Sequence, residues 1–338
     1  MKRRELLQQV GAGIAALGLQ GIGVPARAQA RTKSKVGYLH VLSVDAHMWI
    51  GEYLGTWAKE GLELEPVEFV TGIQLFQALI GGSLDVLTTG GVLSNFPARG
   101  QGKVFLLNDI EWKVGQVWAG PEINTIADLK GKKIATTRGT TAHDLLYHGL
   151  KSVSLDVNKD VEIVNQRMSD AVTAFIAGAV PAVATWVPFD VQIKARKKDA
   201  KMLYDGSKFP DAAIVDGWAA RNDFHEKNKD VLVRFIRAWI PANEFIVNKP
   251  KETIEYLHAK KYSDLARGDV EEMYEAAKFY PTSEWAKYYS DGTAAKWLNQ
   301  VTNFNVAVGA IENPIMADKY FDPSLFLQAA KGAPGQKS

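Results

Sequence analysis

From Val36 onward, short apolar runs alternate with longer stretches in which hydrophobic residues recur every three or four positions. The runs at 36–39, 62–70, 84–88, 104–107 and 114–118 predict strands. Between them, 46–59, 71–80 and 92–100 predict helices; the first carries Trp49, Tyr53 and Trp57 on one face and stops at Gly61. The alternation resumes after Pro121, with strands expected at 134–136, 161–164, 183–185, 202–204 and 214–220. Helices are expected at 141–150, 168–177 and 188–196. Beyond Asn222 the pattern turns helical. Val231, Leu232, Phe235, Ile236 and Trp239 mark a buried face that Pro241 should kink or end, and further helices are expected at 251–258, 270–279 and 294–306. Two rounds of strand–helix alternation followed by helices predict an α/β protein with largely parallel sheets.

The stretch 124–143 is the most informative. Asp128 to Lys133 closes a short helix and turns through Gly131 into the strand Ile134-Ala135. The chain then runs through Thr136, Thr137, Arg138, Gly139, Thr140 and Thr141 into a helix at Ala142-His143. A strand that ends in hydroxyls and glycine and then opens a helix presents free backbone N–H groups at a positive dipole end. Such a place attracts an anion.

Composition adds three facts. Residues 1–30 join Lys2-Arg3-Arg4 to the weakly apolar run 10–24 and to Ala28-Gln29-Ala30, the pattern of an export signal. The paired arginines favour the twin-arginine route, with cleavage after Ala30. Without that segment the chain holds 36 basic and 37 acidic residues, so the basic excess belongs to the signal and nothing points to nucleic acid. The chain has no cysteine, which excludes disulfides, thiol nucleophiles, iron–sulfur clusters and a lipid-anchored N-terminal cysteine. An exported, unanchored chain is expected in a Gram-negative periplasm. No later run approaches the roughly 18 apolar residues of a membrane span.

Five segments in order resemble a known family. They are EGLEL at 60–64, FQALIGGSLDV at 76–86, IADLKGKKIA at 126–135, Ala177-Gly178, and Trp186-Val187-Pro188. Together they resemble the periplasmic substrate-binding proteins of ABC importers, in the NMT1/THI5-like group that serves nitrate, taurine, alkanesulfonates and thiamine precursors. The resemblance spans residues 36–257. It departs from the pattern at 40–47, where a proline or small residues are usual, and at Pro181-Ala182 in place of Asp-Ala. It implies a type II periplasmic-binding-protein fold, with two α/β domains joined by two crossing strands, a cleft between them, and C-terminal helices. The expected division is 31–118 plus 216–338 for domain 1 and 119–215 for domain 2, with hinges at 118–121 and 215–218.

The resemblance places ligand contacts at the carboxyl ends of strands. They are His40, Ser43, Asp45 and His47; Thr71 and Gly72; Thr88, Thr89 and Gly90; and Thr137, Arg138, Gly139, Thr140, Thr141 and His143. Thr71 is also the expected cap of its helix. Trp186 and Trp218 supply aromatic surface, and Asp45, Asp190 and Asp216 are candidate partners for a ligand amine. Two histidines and an aspartate fall short of a metal set, and no catalytic motif or cofactor site is present. The expected role is a monomeric, non-enzymatic receptor that closes on a small organic anion, a sulfonate such as taurine or a carboxylate, and delivers it to an ABC permease. Alternatives are a binder of a thiamine-precursor pyrimidine, a pyrimidine-synthase-like protein, and a receptor that presents its ligand to a sensor.

Overall fold

The structure, a computed structural model, describes residues 31–210 and 213–331; the expected signal and the tail from 332 lie outside them. Two sheets form. The first contains β1 (Thr32–Leu39), β2 (Leu62–Phe69), β3 (Val86–Thr89) and β4 (Lys103–Glu111), to which β10 (Val215–Ala220) and β11 (Ala277–Lys278) return later. Its order is β11-β4-β10-β3-β1-β2. The second contains β5 (Gly115–Ala119), β6 (Lys133–Thr136), β7 (Glu162–Asn165), β8 (Ala182–Trp186) and β9 (Lys201–Asp205), in the order β7-β6-β8-β5-β9. Leaving aside the short edge strand β11, both sheets follow one plan, in which a returning strand lies antiparallel between its third and last strands.

Each sheet has its own core. The first gathers Leu87, Phe105, Leu107, Trp218, Phe235 and Trp239; the second gathers Val117, Ile134, Leu146, Phe175, Val183 and Tyr204. The chain leaves the first sheet after Glu111, enters the second at Gly115, and comes back between Asp205 and Val215. The two crossings therefore lie at 112–114 and 206–214. The expected hinges sat one strand too far along: Trp118 pairs with Val183 inside the second sheet, and Trp218 pairs with Thr88 and Leu106 inside the first.

Helices cover the sheets in chain order. In the first lobe these are α1 (Leu42–Tyr53), α2 (Thr56–Lys59) and α3 (Gly72–Ile80); in the second, α4 (Thr141–Ser152), α5 (Met168–Ile176) and α6 (Phe189–Arg196). Then come α7 (Asn222–Lys227), α8 (Lys229–Asn248), α9 (Pro250–Lys260) and α10 (Arg267–Ala276). The last four are α11 (Thr282–Ser290), α12 (Thr293–Ala307), α13 (Ala317–Tyr320) and α14 (Pro323–Ala329).

Three expectations change. The helix expected at 46–59 starts earlier, at Leu42, and breaks at Gly55, whose φ of 66° ends α1 in the left-handed region. The segment 92–100 forms turns and a short 3₁₀ helix at Pro97–Arg99, because Pro97 lacks the N–H that a continuous helix needs. Pro241 does not end α8, whose twenty residues bury Phe235, Ile236, Trp239 and Ile246 on one face. Packing of that face outweighs the single bond that proline forfeits.

Candidate ligand-binding cavity

A cavity of about 270 Å³ opens between the two sheets. From the first sheet it takes His40, Val41 and Ser43 at the start of α1, Glu68 to Gly72 at the end of β2, Thr89 to Val92 after β3, and Glu111. From the second it takes Thr140 and Thr141 at the start of α4, and Trp186, Pro188 and Phe189 after β8. Three helices thus begin at its wall, each after a strand. Thr71 caps α3 by accepting a hydrogen bond from Gln74 N at 3.3 Å, whereas α1 and α4 start without a side-chain cap.

Of the sequence-derived residues, His40, Ser43, Thr71, Gly72, Thr89, Gly90, Thr140, Thr141 and Trp186 line this space. His40 is half-buried and stacks on Tyr262 at 4.2 Å. Its Nδ1 lies 2.9 Å from Asp45 Oδ2, and its Nε2 lies 3.1 Å from the Lys261 carbonyl. A carbonyl can only accept, so Nε2 carries hydrogen. Burial works against a charged His40, but the hydrogen bond and charge of Asp45 prevail and its pKa is raised.

The other residues stand elsewhere, for identifiable reasons. Because α1 begins at Leu42, Asp45 and His47 belong to a helix packed on the core rather than to an open loop. Asp45 accepts from Trp49 Nε1 and Tyr262 O–H as well as facing His40. His47 pairs with Asn243 at 3.1 Å and stacks on Trp239; burial lowers its pKa to about 3. Thr88 donates to the Val44 carbonyl. Trp218 is fully buried and donates to Asn108 Oδ1 at 2.7 Å.

On the second lobe, Thr137 donates to the Gln166 carbonyl, and Arg138 takes its place through a backbone N–H to Asn165 Oδ1. The backbone of Gly139, at φ 72°, donates to His143 Nδ1. His143 is buried and its ring meets Phe304 edge-on; burial, helped by the Arg138 charge, lowers its pKa to about 4. Asp190 pairs with Lys194 at 2.7 Å, and Lys194 also reaches Glu272 on α10. Among the described residues, no lysine or arginine lines the cavity.

The residue that sequence reasoning missed is Glu111. It ends β4, a strand expected to stop at residue 107, and its Oε1 accepts from Gly91 N at 3.0 Å and from Thr141 Oγ1 at 2.9 Å. That second bond crosses from one lobe to the other. Asp216 and Asp109 lie beside it, paired in register across β10 and β4, and both are fully buried. Burial pushes Asp216 up to about 6, with hydrogen bonds to Glu111 and Ser43 pulling the other way. Burial and then the Asp216 charge push Glu111 and Asp109 well above the usual carboxylate range. Close carboxyls in a dry site cannot all ionise, so this group shares protons.

The glycines of the turn make room for it. A Cβ on Gly90 would lie 2.5 Å from Glu111 Oε1 and 2.9 Å from Asp216 Oδ1, and one on Gly91 would lie 2.4 Å from Thr141 Oγ1. A usable signal was present, because Asp109 and Glu111 stand two apart on a strand and so share a face. The run of polar letters Asn108, Asp109 and Glu111 masked it.

Known proteins match this chain in sequence and in shape. A family profile described as NMT1/THI5 like matches residues 113–253. A binding protein of Brucella abortus is 27% identical over 288 residues, 85% of this chain and 89% of that one. The taurine-binding periplasmic protein of Escherichia coli is 31% identical over 229 residues, 64% of this chain and 69% of that one. Among solved structures, the alkanesulfonate-binding protein of Xanthomonas axonopodis pv. citri, bound to MOPS, superposes with a TM-score of 0.71 at 20% identity, covering 87% of this chain and 99% of that one. That likeness shows the fold.

Proposed function

The chain belongs to the NMT1/THI5-like family of periplasmic substrate-binding proteins, and on that premise we propose that it is the solute-binding component of an ABC importer. It works in the periplasm and captures a small organic anion with an apolar body, a sulfonate or a carboxylate. The observation that carries the anion is the convergence of three helix starts, α1, α3 and α4, on one cavity. A helix N-terminus presents unpaired N–H groups and roughly half a positive charge. Three of them, with the hydrogen-bearing ring of His40, favour an anion without any lysine or arginine. Phe69, Trp186 and Phe189 provide the wall for its apolar part.

The lobes, 31–111 with 215–331 and 115–205, close by bending at 112–114 and 206–214. A solute that touches both lobes only in the closed form shifts the population toward it. The relatives that match over most of the chain are named as binding proteins, which supports capture and release rather than turnover. No described helix is long and apolar enough to cross a membrane, so delivery requires a separate permease.

The test is a thermal-shift panel of sulfonates, carboxylates, nitrate and uncharged analogues on the mature chain. A ligand at a hundred times its Kd adds about 2.7 kcal/mol, which raises the midpoint by several degrees, and it should be recovered unchanged. A midpoint that moves only with uncharged or cationic compounds removes the anion from this reading.

A further inference from the structure

Two polar atoms in the cavity wall are not spent on the fold. Thr89 Oγ1 is fully buried and has no hydrogen-bond partner. Glu111 is 6% exposed, and its Oε2 receives no N–H or O–H, although Oε1 receives two. The one is a hydroxyl and the other a carboxyl oxygen, and both residues line the cavity.

The groups facing Glu111 are of one sign in front and mixed behind. On its own sheet it meets Asp216 of β10 and Asp109 of β4. Across the cleft it meets the Thr141 hydroxyl. Glu68 and His40 lie on the same cavity wall, and His40 is already committed to Asp45 and the Lys261 carbonyl. Behind it, a smaller space of about 150 Å³ is bounded by His148 and Lys278, whose charged ends are taken up by Asp144 and by the rings of Trp112 and Tyr280. No basic side chain hydrogen-bonds to the three buried carboxyls. Among the described residues no acidic cluster has the arrangement of a metal site. A proton held between Glu111 and Asp216 keeps the group tolerable while the cavity is empty.

We propose that Glu111 is the specificity-determining residue of the cavity, taking a hydrogen bond from an ammonium or amino group on the solute. This rests on the anion reading above and narrows it to organic anions that also carry an N–H donor. The anionic end lies against the helix starts and the Thr89 hydroxyl, and the amino end lies at the Glu111 carboxyl. A cationic amine replaces the shared proton as the partner of the carboxyl group. The solute arrives with its charge, and the proton leaves to solvent.

Calorimetry on the mature chain with three matched compounds tests this: para-(aminomethyl)benzenesulfonate, para-toluenesulfonate and para-methylbenzylamine. The aminated sulfonate should bind at least tenfold more tightly than toluenesulfonate. In two buffers of different ionisation enthalpy, its binding should release close to one proton at pH 7, whereas toluenesulfonate should release none. Its affinity should fall as pH is lowered from 7 to 5, since protons then compete for the carboxyl. Glu111→Gln should collapse the preference between the two sulfonates and abolish the proton release.

Equal binding of the two sulfonates by the parent chain, or a preference that Glu111→Gln leaves intact, overturns the role of Glu111 while sparing the anion reading. Binding of the amine as tightly as the aminated sulfonate overturns the anion reading while keeping Glu111. No binding by any of the three rejects both. Proton release is read on the parent chain, so the outcome does not depend on the variant folding.

Discussion

The two lobes share a strand order but offer the cavity different chemistry. In the first, the strand ends carry carboxyls: Asp109 and Glu111 on β4, Asp216 on β10 and Glu68 on β2. In the second, the corresponding ends carry hydroxyls and rings, namely Thr140, Thr141, Trp186 and Phe189. A backbone plan fixes where strands end and helices begin. It leaves open what those ends carry. In this chain charge is decided by the first lobe, and the apolar wall is supplied largely by the second. The lobes meet where Thr141 of one donates to Glu111 of the other.

Breaking the first lobe's side of this contrast should have the largest effect. Gly90→Ala places a methyl against Glu111 and Asp216 in a fully packed turn. It should cost about 1–3 kcal/mol of stability, read from urea unfolding. Gly139→Ala in the second lobe meets no neighbour within 4 Å and is opposed only by its φ of 72°, which costs about 1–2 kcal/mol. If the Gly139 variant lost clearly more than the Gly90 variant, close approach to the carboxyls would not be what Gly90 serves.

The second effect is a pH dependence. The fold favours the neutral form of Asp216, moving its pKa from 3.8 to about 6. That contribution to stability is whole below about pH 4 and is lost as pH rises through about 6. Asp216→Asn, neutral throughout, should gain on the parent chain between pH 4 and pH 7 by on the order of 2 kcal/mol. His47 and His143, whose pKa values are lowered, act in the opposite sense. Their contribution is full above about 6.5 and fades toward about 4 and below, so the comparison must be between variant and parent at each pH. A constant difference across that range would mean Asp216 keeps one charge state.

On the second lobe, Trp186→Ala should weaken ligand binding about tenfold, close to 1.4 kcal/mol, and lower the ligand-free midpoint by little because the ring is only partly buried. Unchanged affinity would assign Trp186 to packing. The smallest effect belongs to the join. Thr141→Val removes one hydrogen bond to Glu111 and should cost about 0.5–1.5 kcal/mol, seen as a lower ligand-free midpoint.

Most of the architecture was legible because its signal is local. Gly61, Gly131 and Gly139 stop elements as expected, with φ values of 68°, 71° and 72°, and Thr71 caps α3. The chain's alternation placed ten of the strands to within a few residues. The site was legible only in part. Turn chemistry marked Thr71-Gly72, Gly90 and Thr140-Thr141 correctly as cavity positions. It could not tell that α1 would start at Leu42 and carry Asp45 and His47 inward, since packing against Trp239 and Tyr262 decides that, and these lie about two hundred residues away. Glu111 was hidden for the same reason. A buried acid at a strand end reads as a surface residue until Asp216, about a hundred positions later, is laid beside it.

One detail of the aromatic distribution makes the molecule its own sensor. Of nine tryptophans, all within the described residues, only Trp186 borders the cavity, while Trp218 and Trp239 both give their indole N–H to Asn108 in the interior. A solute settling in the cavity therefore alters the surroundings of a single indole. The fluorescence emission of the unlabelled chain should report occupancy through that one fluorophore, and a Trp186→Phe version should go dark to the same titration while keeping the remaining emission.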